Sequence, residues 1–172
     1  SAVTVVPADE IEVRQDRRLI NVLRNIPGVH VAQTGTPGSA PSIYVRGTNP
    51  EHLIVLVDGV EMNDPALVTR EANIALFDVM QVDRVEVLRG PQSALYGSDA
   101  IGGVVNIITR KGAGKPSVSI MGEAGSYNTF RGSVRASGSQ GPASFSATAS
   151  RVESDGFSAA DEDEGNTEED SY

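Results

Sequence analysis

The 31 residues from Val82 to Gly112 (VDRVEVLRGPQSALYGSDAIGGVVNIITRKG) constrain the fold more than any bulk property of the chain. They open as a strand in which Val85 and Val87 alternate with Arg84 and Glu86 and which runs to Arg89. Gly90-Pro91 then breaks it, and residues 93–96 form a short helical segment. The glycines of GSDAIGG lead into an apolar strand over residues 104–108. Packing one simple core does not require turn, short helix, glycine cluster and buried strand in that order.

Upstream, residues 3–6 are a short β-branched strand. Asp16 is placed to cap a helix in which Leu19, Val22, Leu23 and Ile26 fall on one face, and Pro27-Gly28 closes it. Val29 and Val31 start a strand that enters the Thr, Gly, Pro and Ser loop of residues 33–41. SIYVR, residues 42–46, alternates as a half-buried strand. LIVLV, residues 53–57, has the continuous apolar character of a fully buried one, and Asp58-Gly59 marks the next turn. Residues 63–73 read as a polar loop and 74–80 as a short helix. Mixed strands and short helices predict an α+β domain over residues 1–114.

After residue 114 the pattern changes. Val118, Ile120, Gly122 and Ala124 share one face. Phe130, Gly132, Val134 and Ala136 do so next, and then Ala143, Phe145, Ala147 and Ala149; Ser, Arg, Thr, Met and Glu lie opposite. Three antiparallel segments of period two within residues 115–152, at about the 9–11 residues a tilted strand needs to cross a bilayer, suit a β-barrel wall. On the pattern alone a soluble antiparallel meander suits them as well.

The net charge of −9 belongs mainly to one region. Between Glu153 and Asp170 stand nine acids and no Lys or Arg, and the remaining 14 acids match the 14 basic residues. No basic surface supports nucleic-acid binding. Cysteine is absent, which removes disulfides and thiolate metal sites. GSDAIGG has neither the GxGxxG spacing nor a following Lys-Ser/Thr. His30 and His52 stand alone, and no serine has an evident base partner. These features argue against an enzyme. Residues 153–172 read as a solvated acidic loop. A calcium site at Asp161 and Asp163 is the sharper alternative, although DEDEGNTEED lacks EF-hand spacing, and repulsion of anionic ligands is a third.

The stretch 82–112 closely resembles the end of the plug domain of TonB-dependent outer-membrane receptors. IEVRQDRRLINVLRNIPGV resembles that plug's first helical region, PSIYVRG its central Arg-Gly strand, and LIVLVDGVEMND its third strand and following loop. Within the family, IYVRGTN, LIVLVDGV and YGSDAIGGVVNIIT are most similar to the cobalamin (vitamin B12) receptor branch, while siderophore and haem receptors share much of the vocabulary.

The resemblance implies a Gram-negative outer-membrane transporter for a scarce metal chelate (cobalamin, ferric siderophore or haem), with the plug facing the periplasm and no cofactor required. The calcium option carries over from the cobalamin receptor, without a position-by-position match of its aspartates. The resemblance implies that Arg46 and Arg89 pair with carboxylates of the barrel wall, and that two apical loops touch the ligand, with Gly35, Gly38 and Ser39 in one and Asn63 and Asp64 in the other. It also implies the inner-membrane TonB complex as a partner. The box that TonB grips is expected upstream of Ser1, and about 57 residues after the plug are too few for a 22-strand barrel. The expectation is therefore a fragment, against the alternative of a free-standing soluble binding module.

Overall fold

Valines and isoleucines at alternating positions assemble the larger half of the molecule. The computed structural model describes residues 2–33, 39–75, 77–97, 99–126 and 128–154. It divides into two units, Ser1–Arg110 and Lys111–Tyr172.

The first unit runs β1 (Ala2–Pro7), α1 (Ala8–Arg14), α2 (Leu19–Arg24), β2 (Val29–Ala32), β3 (Ser42–Val45), β4 (Leu53–Val57), β5 (Val60–Glu61), β6 (Val82–Arg89), α3 (Ser93–Tyr96) and β7 (Gly103–Thr109). Five strands form a sheet in the order β1-β6-β7-β4-β5, while β2 and β3 pair as a separate antiparallel ribbon. β4 runs parallel to β7, and the other pairs in the large sheet are antiparallel. Val55 of β4, Val105 and Ile107 of β7, and Val85 and Val87 of β6 project to one face. There they pack with Leu19, Val22 and Leu23 of α2 and with Val29, Val31, Ile43 and Val45 of the ribbon. Ile54, Leu56 and Val104 project to the opposite face and are covered by Ala100. Apolar side chains on both faces explain why β4 reads as an unbroken apolar run.

Two local expectations need correction. Asp16 does not cap α2: the helix starts at Leu19 after Arg18, and Asp16 instead accepts from the side-chain amide of Asn25. The helix expected over 74–80 reduces to a 3₁₀ turn, Val79–Gln81, capped by the Asp78 side chain accepting from Met80 N at 2.9 Å. In the other direction, α1 left no periodic signal because Ile11 is its one buried residue.

The second unit is a three-stranded antiparallel meander, β8 (Ser117–Ala124), β9 (Phe130–Gln140) and β10 (Ala143–Glu153). Gly141, at φ +59 before Pro142, makes the tight turn between β9 and β10. The register sets Val118, Ala136 and Ala147 in one row and Ile120, Val134 and Ala149 in the next. From Val118 to Ala124, Phe130 to Gly138 and Ala143 to Ala149 one face is small and apolar, while Ser119, Arg135 and Thr148 lie opposite with Met121 and Val152 among them. Neither apolar cluster of the described residues includes a residue of this unit. Ile120 is 78% exposed, and Val118, Phe130 and Phe145 are exposed beside it.

Candidate functional site

Arg46 follows β3 immediately, and its backbone marks it out. Arg46 and Gly47 both take left-handed conformations, φ +53 and +77, and Thr48 N donates to Val45 O at 3.1 Å. This is the pattern of a type I′ turn, whose first central position favours Asn, Asp or Gly. A side chain there costs about 1–2 kcal/mol relative to the right-handed region. Thr48 Oγ1 adds a second bond to Val45 O at 2.8 Å, and Arg46 N donates to Gly28 O at 2.9 Å. The strained residue is thus held from three directions.

Arg89, the last residue of β6, points into the same corner. Its Nη2 donates to Thr4 Oγ1 at 2.6 Å and its Nη1 to Pro27 O. Both side chains pass Gly28, and Arg46 also passes Gly90, at ordinary contact distance. A Cβ on Gly28 would lie 3.7 Å from Arg89 Nη1 and 3.9 Å from Arg46 Cγ, and one on Gly90 would lie 3.9 Å from Arg46 Nη1. Neither arginine forms an ion pair among the described residues, and Arg89 Nε is buried with no acceptor. Two like charges without an ion-pair partner among the described residues make a corner suited to an incoming carboxylate.

The two expected ligand loops meet at their roots. Gln33 Nε2 donates to Ser39 O at 2.9 Å across the base of the first loop. Gly35 and Gly38 lie outside the described residues. Ser42, where that loop ends, donates through Oγ to Glu71 Oε1 in the second loop. Asn63 serves as an internal strut: Nδ2 donates to Leu53 O (2.9 Å) and Arg70 O (2.7 Å), and Oδ1 accepts from Val55 N (2.8 Å). Asp64 is exposed and accepts from Ala66 N at 2.9 Å, which shapes the turn. Between the loops is a shallow open cleft with Pro41, Ile43, Leu53, Asn63 and Arg70 among its lining, whose enclosed space is about 10 Å³, room for about one water molecule. Ligand pockets run to roughly 300–1,000 Å³, so a chelate the size of a siderophore needs walls beyond this cleft.

Sequence reasoning missed Arg70. It takes φ +46, donates through Nη2 to Glu61 Oε1 at 3.0 Å, and pairs through Nη1 with Asp99. An ion pair spanning 29 residues leaves no periodic trace. On the second face of the large sheet, Arg84 Nε donates to Glu86 Oε1 at 2.7 Å and Asn106 Nδ2 to Glu86 Oε2 at 3.1 Å. The Arg84 hydrogen bond holds the Glu86 carboxyl below its usual range. Among the described residues no three His, Asp or Glu side chains gather as metal ligands, and no helix is long and apolar enough to cross a membrane. Asp161 and Asp163 lie outside the described residues.

A family model described as the TonB-dependent receptor plug domain matches residues 1–104. The chain is similar to the crystal structure of the siderophore receptor PirA from Pseudomonas aeruginosa, with 32% identity and a TM-score of 0.65 over 89% of this chain and 27% of that one. It is also similar to PirA from Acinetobacter baumannii (25%, TM-score 0.67, 90% and 25%). A third is the ferric yersiniabactin uptake receptor FyuA from Yersinia pestis (25%, TM-score 0.71, 99% and 26%). The chain spans about a quarter of the length of each of these receptors.

Proposed function

The chain belongs to the TonB-dependent receptor plug family, and from that membership we propose that it is the gate and first wall strands of an outer-membrane transporter for a ferric siderophore. The observation that carries this reading is the second unit: three strands with a continuous apolar face and no apolar cluster of their own. A self-contained soluble module would bury such a face, whereas a barrel wall turns it to lipid and its polar face to the lumen. Siderophore is preferred to cobalamin or haem because the receptors described above are siderophore receptors. The reading places the plug toward the periplasm, driven by the TonB complex, with loops 34–41 and 63–69 as its contribution to ligand binding. Transport then proceeds by binding and plug displacement. The test is uptake by a receptor carrying this chain, in iron-starved cells lacking their own receptors. Growth on a ferric siderophore that stops when TonB is removed is expected. Uptake of cobalamin or haem alone would overturn the ligand, and TonB-independent uptake the mechanism.

Arg46 and Arg89 are proposed as the contacts between plug and wall. Arg89 also ties β6 to Thr4 and Pro27, so changing it disturbs the plug itself. Arg46 carries no side-chain bond among the described residues and separates the two effects. Arg46→Gln should leave the unfolding of the 172-residue chain almost unchanged. In a full-length receptor it should speed plug amide exchange about tenfold, the loss of about 1.4 kcal/mol expected when a charge-assisted pair is broken. Equal effects in both settings would remove Arg46 from the plug–wall contact.

A further inference from the structure

We propose that Arg70 is a positioning residue, an ionic latch that sets the 62–72 loop against the loop preceding β7, so that moving either loop moves the other. Three observations meet at it. Its backbone is left-handed, φ +46, a conformation that a residue with a side chain keeps only when its surroundings enforce it. Its guanidinium bridges two carboxylates on different segments, Glu61 at the end of β5 and Asp99 in the loop after α3. Its carbonyl is in turn held by Asn63 Nδ2, the strut that fixes the loop to β4.

The loop that Asp99 belongs to is fastened on its far side to the end of β6. Ala100 O accepts from Gln92 N at 2.8 Å, Gly102 O from Gly90 N at 3.1 Å, and Gly102 N donates to His52 O at 2.8 Å. Adjacent to Gly90 is Arg89, which reaches β1 through Thr4. Contacts therefore run without a gap from the 62–72 loop, through Arg70 and Asp99, to the arginine corner. The three ionic side chains are each about a third or more exposed, from 31% for Arg70 to 44% for Asp99. Partly exposed pairs shift an equilibrium by about two- to fivefold each. That is too weak to hold the fold and suited to setting the position of a loop. The latch stands on this geometry. Its part in reporting ligand occupancy rests on the reading of residues 63–69 as a ligand loop, and its test needs no ligand.

The test is amide hydrogen exchange on the full 172-residue chain in detergent. Asp99→Asn, which removes the charge and keeps the shape, should speed exchange at residues 64–69 about threefold. Arg70→Gln should do the same at residues 92–97. The double variant should be no faster than the faster single one, and Arg70→Lys, which keeps the charge, should fall between Arg70→Gln and the unaltered chain. Raising sodium chloride to about 1 M should loosen residues 64–69 in the unaltered chain and leave the double variant as it was. Acceleration confined to each variant's own loop, or effects that multiply in the double variant, would overturn the latch. If Asp99→Asn also strips protection from β6 and β7, the salt arm decides: no response at residues 64–69 with β7 still protected rejects the proposal.

Discussion

Replacing Gly103 with alanine should destabilise the first unit by roughly 3 kcal/mol or more, the range reserved for strain and overpacking at a site that cannot relax. Gly103 opens β7, the middle strand of the five-stranded sheet, facing Arg89 on one side and Leu53 on the other. Its φ is +149, outside the regions open to residues with a Cβ. A Cβ there would stand 2.3 Å from the Leu88 carbonyl oxygen and 3.5 Å from Arg89 Cα. These atoms are backbone, so no side chain can swing away. Relief requires β6 and β7 to move apart where Val85, Val87, Val105 and Ile107 are all buried. The control is Gly47→Ala, which meets nothing within 4 Å and carries the strain of φ +77 alone, about 1 kcal/mol. Denaturant unfolding followed on the first unit separates the two. Equal losses would show that the close approach to Leu88 relaxes easily.

The second large effect concerns Ile120, the most exposed of the large side chains on the apolar face of the meander. In a full-length receptor, Ile120→Arg should cost about 2–4 kcal/mol of folding stability in lipid if the position lies near the bilayer midplane. The neighbouring Ser119→Arg, on the opposite face of β8, should cost little, because that face already carries Arg131 and Arg135. Folding yield into vesicles, read by heat-resistant migration on gels, measures both. If the two arginines cost the same, or Ser119→Arg costs more, the apolar face does not meet lipid and the soluble meander returns as the better description.

Elements with strong period or complete burial were legible in the sequence. β6 and the three strands of the second unit each carry a pattern that one residue's shift would invert, and β4 and β7 are apolar runs buried on both faces. Asp58-Gly59 also announced its turn, since both residues take positive φ at the β4–β5 hairpin. Capping was less legible. Asp16 has the chemistry of an N-cap, yet its carboxylate is taken by Asn25, nine residues on, a tertiary choice that local reading does not weigh. α1 hid because a two-turn helix with one buried residue has no period. In the candidate site, Arg46 and Arg89 came from a motif, and geometry supplied their convergence over Gly28. Asn63 was expected to face the ligand, and its amide proves to be bonded to the loop's own backbone and to β4. Nothing in a polar loop distinguishes a residue that meets ligand from one that holds the loop together. Arg70 and Asp99 were invisible for a different reason: their meaning lies in a contact between distant segments.

The apolar face of the second unit also bears on how the chain comes to be folded. The first unit gains hydrophobic stabilisation in water when its valines pack, so its native state has an internal driving force. The meander gains much less of this term in water, since packing its three strands leaves Ile120, Val118 and Phe145 half or more exposed. Its hydrogen bonds alone contribute only about 0.5–1.5 kcal/mol each after exchange with solvent, against about 1–2 kcal/mol of backbone entropy for every residue ordered. The two halves of one polypeptide thus call for different solvents. On the proposed reading of the second unit as barrel wall, an apolar phase becomes a term in the folding equilibrium itself, alongside the residues of the strands.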